Sequence, residues 1–164
     1  MIDAPTVSTF LIWLFVINVG IAFGAGLYEH RIVLPHWIKS DEAGAHWDAS
    51  AARRDDTGLR FWAFVTTGPL TLLTLANLVA AWRATGPERA WWLAAALALL
   101  VERALTFSYF IPTIVRLMTA PDSPAAAAKA GRWASVNYLR HALVLGGWLA
   151  ALRAFSLIYR GGPL

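Results

Sequence analysis

Several ionisable side chains lie within or at the end of long apolar stretches of this sequence, and five of them are the strongest candidates for chemistry. Glu102, Arg103, Arg140 and His141 fall inside two such stretches, and Glu29 ends another. A charge at the middle of a bilayer costs roughly 2.5–3.5 kcal/mol even on a lenient scale, so such groups face a protein interior, pair with one another or reach the interface. In a protein interior such side chains can exchange protons or bind a polar group of a ligand. The alternative is a set of buried ion pairs that only fix helix register.

Helical spacing gathers these residues on shared faces. At about 100° per residue, each stretch carries one polar face. The faces are Glu102, Thr106, Tyr109, Thr113 and Arg116 in the third stretch, Trp133, Asn137, Arg140, Val144 and Gly147 in the fourth, Asn18, Glu29 and His36 in the first, and Thr66 and Asn77 in the second. Most of these residues, with all four histidines, fall toward one end of the stretches. We therefore expect an interior that is polar at one end and apolar at the other.

The elements that position these residues are membrane helices. The chain has 164 residues, 58% hydrophobic and 15% charged, and its mean hydropathy is +0.52. Its apolar runs predict spans at about 6–34, 61–82, 91–115 and 133–157, each long enough to cross a bilayer. The predicted fold is all-α, a single transmembrane domain over 1–164 arranged as a four-helix up-and-down bundle.

Several local features refine this prediction. The connection 36–60 is rich in both charge signs, and its segment 41–54 is predicted to form a short interfacial helix. Pro69 predicts a kink in the second span. Gly20 and Gly24 form a small-xxx-small pattern that lets a neighbouring helix approach closely. Most of the nine tryptophans fall near span ends, where an indole ring suits the membrane interface.

Composition excludes several classes of function. The chain has no cysteine, which excludes disulfides, thiolate metal sites and a catalytic thiol. The formal charge of +4 comes mostly from loop residues beside apolar runs, so lipid headgroups are the expected partner and nucleic acid is not. A homo-oligomer stays open.

The distribution of basic residues predicts orientation and location. One side carries Arg31, Lys39, Arg53, Arg54, Arg60, Arg116, Lys129 and Arg132, and the other carries Arg83, Arg89, Arg153 and Arg160. Because Lys and Arg are enriched in cytoplasmic loops, both termini are expected outside the cytoplasm. We expect a multi-pass protein of a bacterial inner membrane.

The histidines are the candidates for a metal or haem. Imidazole with carboxylate ligation suits zinc, iron or copper. His30 and His36 are six residues apart, which does not place two ligands on one helical face, so His141 and Glu29 would have to join them through tertiary contact. The sequence leaves two further alternatives open: a haem held between histidines, and no cofactor at all.

Several segments resemble the anthrone-oxygenase-like family of small four-helix membrane proteins. The resemblance rests on Gly24-Ala25-Gly26-Leu27-Tyr28-Glu29 running into Leu34-Pro35, and on Thr106 followed by Phe110-Ile111-Pro112-Thr113 and Leu117. It is strongest in the W-x3-N-x2-R pattern of Trp133, Asn137 and Arg140. Together these segments extend over nearly the whole chain.

The resemblance implies a membrane enzyme that inserts oxygen into an activated aromatic methylene, giving a quinone without an obvious cofactor. At the matching positions, Glu29, Asn137 and Arg140 would line the pocket. A carboxylate or histidine would remove an acidic carbon-bound proton, and Arg140 would stabilise the enolate. Many relatives have histidine where Asn137 stands here, so the chemistry need not be the same.

Three functions compete at this point. The first is an oxidoreductase- or oxygenase-like enzyme acting on a lipophilic small molecule, with Glu29, Asn137, Arg140 and His141 as catalytic residues. Its substrate-binding residues would be Tyr109, Thr113, Trp133 and Glu102. The second is a transporter of a small molecule or protons, and the third is a structural or partner subunit whose charges only set packing. An enzyme predicts a one-ended pocket beside Arg140, a transporter a polar path across the bundle, and a packing role no cavity.

Overall fold

The protein is almost entirely helical in a computed structural model, which describes residues 4–42 and 44–161, without the side chains at 4–6, 41 and 161. It has four long helices. Helix α1 consists of Ala4–Tyr28, Glu29–Val33 and Leu34–Trp37, and helix α3 consists of Gly58–Thr67 and Gly68–Arg83. Helix α4 consists of Arg89–Leu105, Thr106–Phe110 and Ile111–Thr119, and helix α5 is Pro124–Gly161. All four are long and apolar enough to cross a membrane. Strands β1 (Ile38–Asp41) and β2 (Gly44–Trp47) and the short helix α2 (Ala49–Asp55) connect α1 to α3.

The fourth long helix begins earlier than its apolar pattern predicted. Helix α5 starts at Pro124, so the alanine-rich segment 125–130 is helical and Trp133 lies inside the helix instead of opening it. Ser123 accepts a hydrogen bond from the Ala126 amide through its Oγ, at 3.2 Å. A capping serine followed by proline at the first helical position is a strong start signal, and it outweighs the lack of large apolar residues in the first turns.

The predicted interfacial helix over 41–54 is wrong in its first half. Strands β1 and β2 pair antiparallel, with Ile38 opposite Trp47, and helix starts only at Ala49. Gly44 has a φ of 128°, a conformation open mainly to glycine, so the turn interrupts a helix at this point. The hairpin is then held by tertiary contacts that a sequence pattern does not show.

Two tryptophans anchor the hairpin connection to the bundle. Trp37 donates from Nε1 to Asp55 at 2.8 Å, and Trp47 donates from Nε1 to the Leu117 carbonyl at 2.7 Å. Both rings are 1% exposed, as deeply buried as Trp92 at 2%. The interfacial belt predicted for the tryptophans is therefore only partly correct, because these rings lie inside the protein while Trp82 and Trp91 are exposed.

The long helices pack in sequence order, and α1 also packs against α5. The core at the end away from the hairpin is a cluster of Ile12, Ala81, Trp92 and Ala154. Gly147 of α5 allows a close approach, since a Cβ there would lie 2.1 Å from Leu99 of α4. In the predicted small-residue pattern of α1, a Cβ at Gly20 would meet Trp148 at 3.1 Å, whereas one at Gly24 would meet nothing within 4 Å.

Three stretches of these helices are π-helical, and each is followed by a proline. The π segments are Glu29–Val33, Gly58–Thr67 and Thr106–Phe110, and Pro35, Pro69 and Pro112 come two residues after them. A proline ring clashes with the carbonyl four residues earlier and offers it no N–H, so a local change from α to π geometry accommodates it. The kink predicted at Pro69 thus takes the form of a ten-residue π segment.

A side chain from α1 compensates for the backbone hydrogen bond that Pro69 cannot make. The Val65 carbonyl lies four residues before Pro69, and Asn18 donates to it from Nδ2 at 2.8 Å. In a membrane a freed carbonyl must find a protein donor, because lipid tails offer none. Asn18, which the sequence placed on a polar stripe, therefore has a structural role.

We expect the start of α2 to loosen in acid. Hydrogen bonds from Lys39, from Ser50 and from the Ala51 amide hold the pKa of Asp48 well below its usual range. A depressed pKa stabilises the fold above the ordinary carboxyl value of about 3.9, and the effect is lost as the pH falls through the folded-state value. Hydrogen exchange of the Ala51 amide against pH measures this. Its protection should fall in acid, and Asp48→Asn should remove the pH dependence.

The matched control is the Ala127 amide, which donates to the Ser123 carbonyl and so has no titrating partner. If both amides lose protection together, the acid response is global and the assignment to Asp48 fails.

Candidate functional site

A cavity of about 360 Å³ lies among the four long helices, in the half nearest the hairpin. Small-molecule sites typically measure roughly 300–1,000 Å³ and combine apolar walls with a few polar groups. Here aromatic and aliphatic residues form most of the wall. Its polar side chains include Glu29, Asp56, Thr57, Glu102, Arg103, Thr106, Arg140 and His141.

Glu29 opens the π segment of α1 and is 8% exposed. Its Oε1 accepts hydrogen bonds from Thr57 Oγ1 at 2.7 Å and from Trp62 Nε1 at 2.8 Å. Its Oε2 lies 3.9 Å from Arg140 Nη2, too far for a hydrogen bond. One carboxylate oxygen is therefore held by Thr57 and by Trp62 of α3, and the other accepts no hydrogen bond from a described residue.

Within residues 4–42 and 44–161, aromatic rings hold Arg140 in place and no hydrogen bond does. Its guanidinium carbon lies 5.4 Å from the centre of the Trp62 ring and 4.9 Å from that of Phe110, distances at which cation–π attraction operates. Among the described residues its one charged partner within 4 Å is Glu29. Since the guanidinium has five N–H donors, this arginine keeps donors for a molecule in the cavity.

Glu102 and Arg103 form a second, tighter pair. Arg103 donates to Glu102 from Nε at 2.6 Å and from Nη2 at 2.8 Å, and Thr106 adds a hydrogen bond at 2.9 Å. Glu102 is 1% exposed and Arg103 is 7% exposed. Both oxygens of Glu102 already have donors, so the substrate-binding role predicted for Glu102 has less geometric support than a structural one.

The charges of the inner site balance. Arg140 lies within electrostatic range of Glu29, Glu102 and Arg103, which gives two acids and two bases in the buried part of the cavity. A third acid of the lining, Asp56, is partly exposed at the other end. An arrangement of this kind avoids an uncompensated charge in a low-dielectric interior. It also means that an ionised ligand would disturb the balance, whereas a neutral one would not.

The structure brings together only two of the three metal candidates. The rings of His30 and His141 lie edge to face with centroids 5.6 Å apart, and His36 is exposed elsewhere. Direct contact leaves no space for a haem between these two rings. Within residues 4–42 and 44–161, no three His, Asp or Glu side chains are close enough to hold a metal ion. His141 lines the cavity, whereas His30 does not and packs against the His141 ring.

The remaining predicted site residues divide between the cavity wall and its surroundings. Trp133 lines the cavity and donates to the Phe110 carbonyl at 3.2 Å. Asn137 is buried, donates to the Trp133 carbonyl at 3.2 Å and leaves its Oδ1 without a partner in the described structure. Neither Asn137 nor Tyr109 nor Thr113 is among the lining residues. Their predicted catalytic and substrate-binding roles therefore lack direct contact with the cavity.

Sequence reasoning missed the residues that hold Glu29 and Arg140 in place. The sequence pattern places Trp62 at a span end and gives Thr57 no role, yet both donate hydrogen bonds to Glu29. Phe110, which belongs to a quoted segment of the resemblance, contacts Arg140. The three prolines were the sequence feature that could have indicated where these residues lie. Each follows a π segment, and every π segment contributes to the cavity wall, as such segments often do at functional sites.

Gly26 should tolerate alanine poorly, whereas Gly24 should accept it. A Cβ at position 26 would lie 2.8 Å from His141 Cε1, so the buried imidazole would have to move toward the cavity. We expect Gly26→Ala to cost about 1–3 kcal/mol, as overpacking does. Gly24→Ala, with nothing within 4 Å, should stabilise the helix by up to about 1 kcal/mol. Unfolding of both variants by SDS in mixed micelles measures the difference, and equal stabilities would contradict the close contact.

No known protein family, curated protein or solved structure matches this chain. The resemblance to anthrone-oxygenase-like proteins therefore rests on the quoted residues alone. Of those, six line the cavity: Glu29, Thr106, Phe110, Ile111, Trp133 and Arg140.

Proposed function

We propose that this protein is a membrane enzyme that acts on a neutral lipophilic small molecule held in the cavity. The observation that carries the proposal is the geometry of Arg140. Its guanidinium is fixed between Trp62 and Phe110 and makes no hydrogen bond to a described residue. It faces Glu29 Oε2 at 3.9 Å, an oxygen that accepts no hydrogen bond within the described part of the chain. A purely structural arginine would be expected to fill its donors with protein acceptors.

Two features favour a neutral ligand with a polar oxygen. The balanced charges would be disturbed by an anion or a cation. The walls are mostly apolar and aromatic, which suits a hydrocarbon body, while Arg140 offers donors to a carbonyl or hydroxyl oxygen. A lipophilic aromatic ketone meets both requirements.

The chemistry that this pair supports is proton abstraction from a methylene that is conjugated with a carbonyl through aromatic rings, as in anthrone. Glu29 Oε2 would take the proton from this acidic carbon, and the electron pair of the broken C–H bond would be delocalised through the aromatic rings to the carbonyl oxygen. Arg140 would stabilise the resulting enolate through its free N–H groups. Thr57 and Trp62 hold the other Glu29 oxygen, which keeps Oε2 directed at the reacting carbon.

The oxidative part of the proposal comes from the resemblance. Dioxygen would be the oxidant, and an activated methylene would become a carbonyl. One oxygen atom ends in the new carbonyl group and the other in water, so anthrone plus dioxygen gives anthraquinone plus water.

The other two functions are less well supported. A packing role predicts no cavity beside Arg140, and a cavity of about 360 Å³ lies there. A transporter predicts a polar path to the opposite end, where the core is the apolar cluster of Ile12, Ala81, Trp92 and Ala154. A packing role does fit the Glu102–Arg103 pair, whose hydrogen bonds are internal.

The proposal includes the arrangement in the membrane. The four long helices would cross the bilayer as an up-and-down bundle, in a bacterial inner membrane, with both termini outside the cytoplasm. The cavity and the hairpin would then lie toward the cytoplasmic face, where the basic residues are concentrated.

Turnover of anthrone by the protein in liposomes tests the proposal. We expect oxygen-dependent formation of anthraquinone above the rate of protein-free liposomes, with a loss of at least tenfold in Glu29→Gln. The control is Glu42→Gln, since Glu42 is exposed in the hairpin turn. Anthraquinone formation at the protein-free rate would reject the oxygenase reaction.

A further inference from the structure

One side of the cavity is formed by two helices that pack closely along only part of their length. The α-helical half of α3, Gly68–Arg83, packs against Arg89–Leu105 of α4 and against α1. Its π half, Gly58–Thr67, packs against α1 but makes few or no close backbone contacts with the second half of α4. The two helices therefore diverge toward the hairpin end, and the cavity lies where they part.

The edges of this gap are apolar and exposed. Leu59 on α3 is 66% exposed, and on α4 Val115 is 56% and Ile111 is 36% exposed, although all three line the cavity. All three belong to helices apolar enough to cross a membrane. In a bilayer the exposed sides of such residues meet lipid tails instead of water. The gap is therefore an opening between the cavity and the hydrocarbon region.

The polar groups lie on the closed side of the cavity. The side chains of Glu29 and Arg140 are 10% and 13% exposed, much less than the residues at the gap. A molecule passing between α3 and α4 would meet apolar contacts first and the guanidinium last. This order suits a neutral lipophile that enters with its polar oxygen leading.

We infer that the ligand reaches the cavity sideways from the bilayer, between the π half of α3 and the second half of α4. The inference extends the proposed function by giving the route and by restricting the ligand to molecules dissolved in the membrane. Water-soluble compounds would have to use the other end of the cavity, at Asp56 and Thr57, which are partly exposed.

Because the chain has no cysteine, one introduced thiol reports on access. Val144 lines the cavity and is 5% exposed, so Val144→Cys places the thiol inside it. In liposomes we expect a lipophilic maleimide to modify this thiol at least tenfold faster than a membrane-impermeant sulfonated maleimide present on both sides. The labelling requires no substrate. If labelling fails while turnover succeeds, only the entry route is rejected, and if turnover fails while labelling succeeds, only the proposed reaction is rejected.

A second pair of variants locates the route. In the Val144→Cys background, Val115→Trp should narrow the gap and slow the lipophilic reagent at least tenfold. Val101→Trp is the matched control, because Val101 is 52% exposed on the same helix but lies outside the cavity wall. Three results would overturn the inference: comparable rates for the two reagents, an unreactive thiol, or equal rates in the two tryptophan variants.

Discussion

Replacing Glu102 by alanine is expected to destabilise the protein by about 3–5 kcal/mol, the cost of removing one partner from a buried ion pair. Arg103 is 7% exposed, and its Nη1 already lacks a partner in the described structure. Without the carboxylate, Nε and Nη2 would lose theirs as well. Unfolding by SDS in mixed micelles, followed by tryptophan fluorescence, measures the change.

The double variant Glu102→Leu with Arg103→Leu separates a structural role from a binding role. Replacing a buried ion pair by apolar residues of similar volume is often neutral or stabilising, so the double variant should recover most of the stability lost in Glu102→Ala. If it also binds ligand, the pair only supports the fold. A double variant as unstable as the single one would contradict this interpretation.

Arg140→Ala is expected to keep the fold and lose the ligand. Glu29 would still accept hydrogen bonds from Thr57 and Trp62, so no carboxylate is left without donors. Binding should weaken because a hydrogen bond to a charged group contributes about 1.5–3 kcal/mol, or about 10- to 100-fold in affinity. Titration of anthrone into the protein in nanodiscs measures the affinity.

Two further variants test whether the loss of binding is specific to the planar group at position 140. Arg140→Lys keeps the charge but loses the planar group that stacks on Trp62 and Phe110, so it should bind nearly as weakly as alanine. Arg153→Ala removes an exposed arginine from the same helix and should bind like the wild type. Unchanged affinity in Arg140→Ala, or failure of that variant to fold, would favour a packing role for the arginine.

The sequence predicts the four spans because each is a long apolar run whose length suffices to cross a bilayer. It also predicts that Glu29, Glu102, Arg103 and Arg140 gather in one interior, since each would be costly in lipid. The hairpin at 38–47 could not be predicted, because the long-range contacts of Trp37 and Trp47 decide it. Local charge and alanine content favour helix there, and buried indole rings with tertiary hydrogen bonds outweigh them.

The predicted polar faces include residues that do not line the cavity. A stripe assumes regular α-geometry, but the π segments rotate the residues that follow them relative to an α-helix. Thr113 and Tyr109 follow or lie in such a segment and do not line the cavity, whereas Phe110 does. The prolines marked these irregular segments, but the direction in which each would turn a side chain depends on packing against the other helices.

Photolabelling with benzophenone shows whether a neutral lipophile binds beside Arg140 inside the membrane. Benzophenone is a neutral, lipophilic aromatic ketone, and on illumination its carbonyl group reacts with nearby C–H bonds. If the carbonyl binds Arg140, label identified by peptide mass spectrometry should concentrate on cavity residues such as Phe110 and Val144, and Arg140→Ala should disperse it. Label spread over lipid-exposed positions such as Leu72 and Leu97, unaffected by Arg140→Ala, would contradict an intramembrane site for a neutral lipophile.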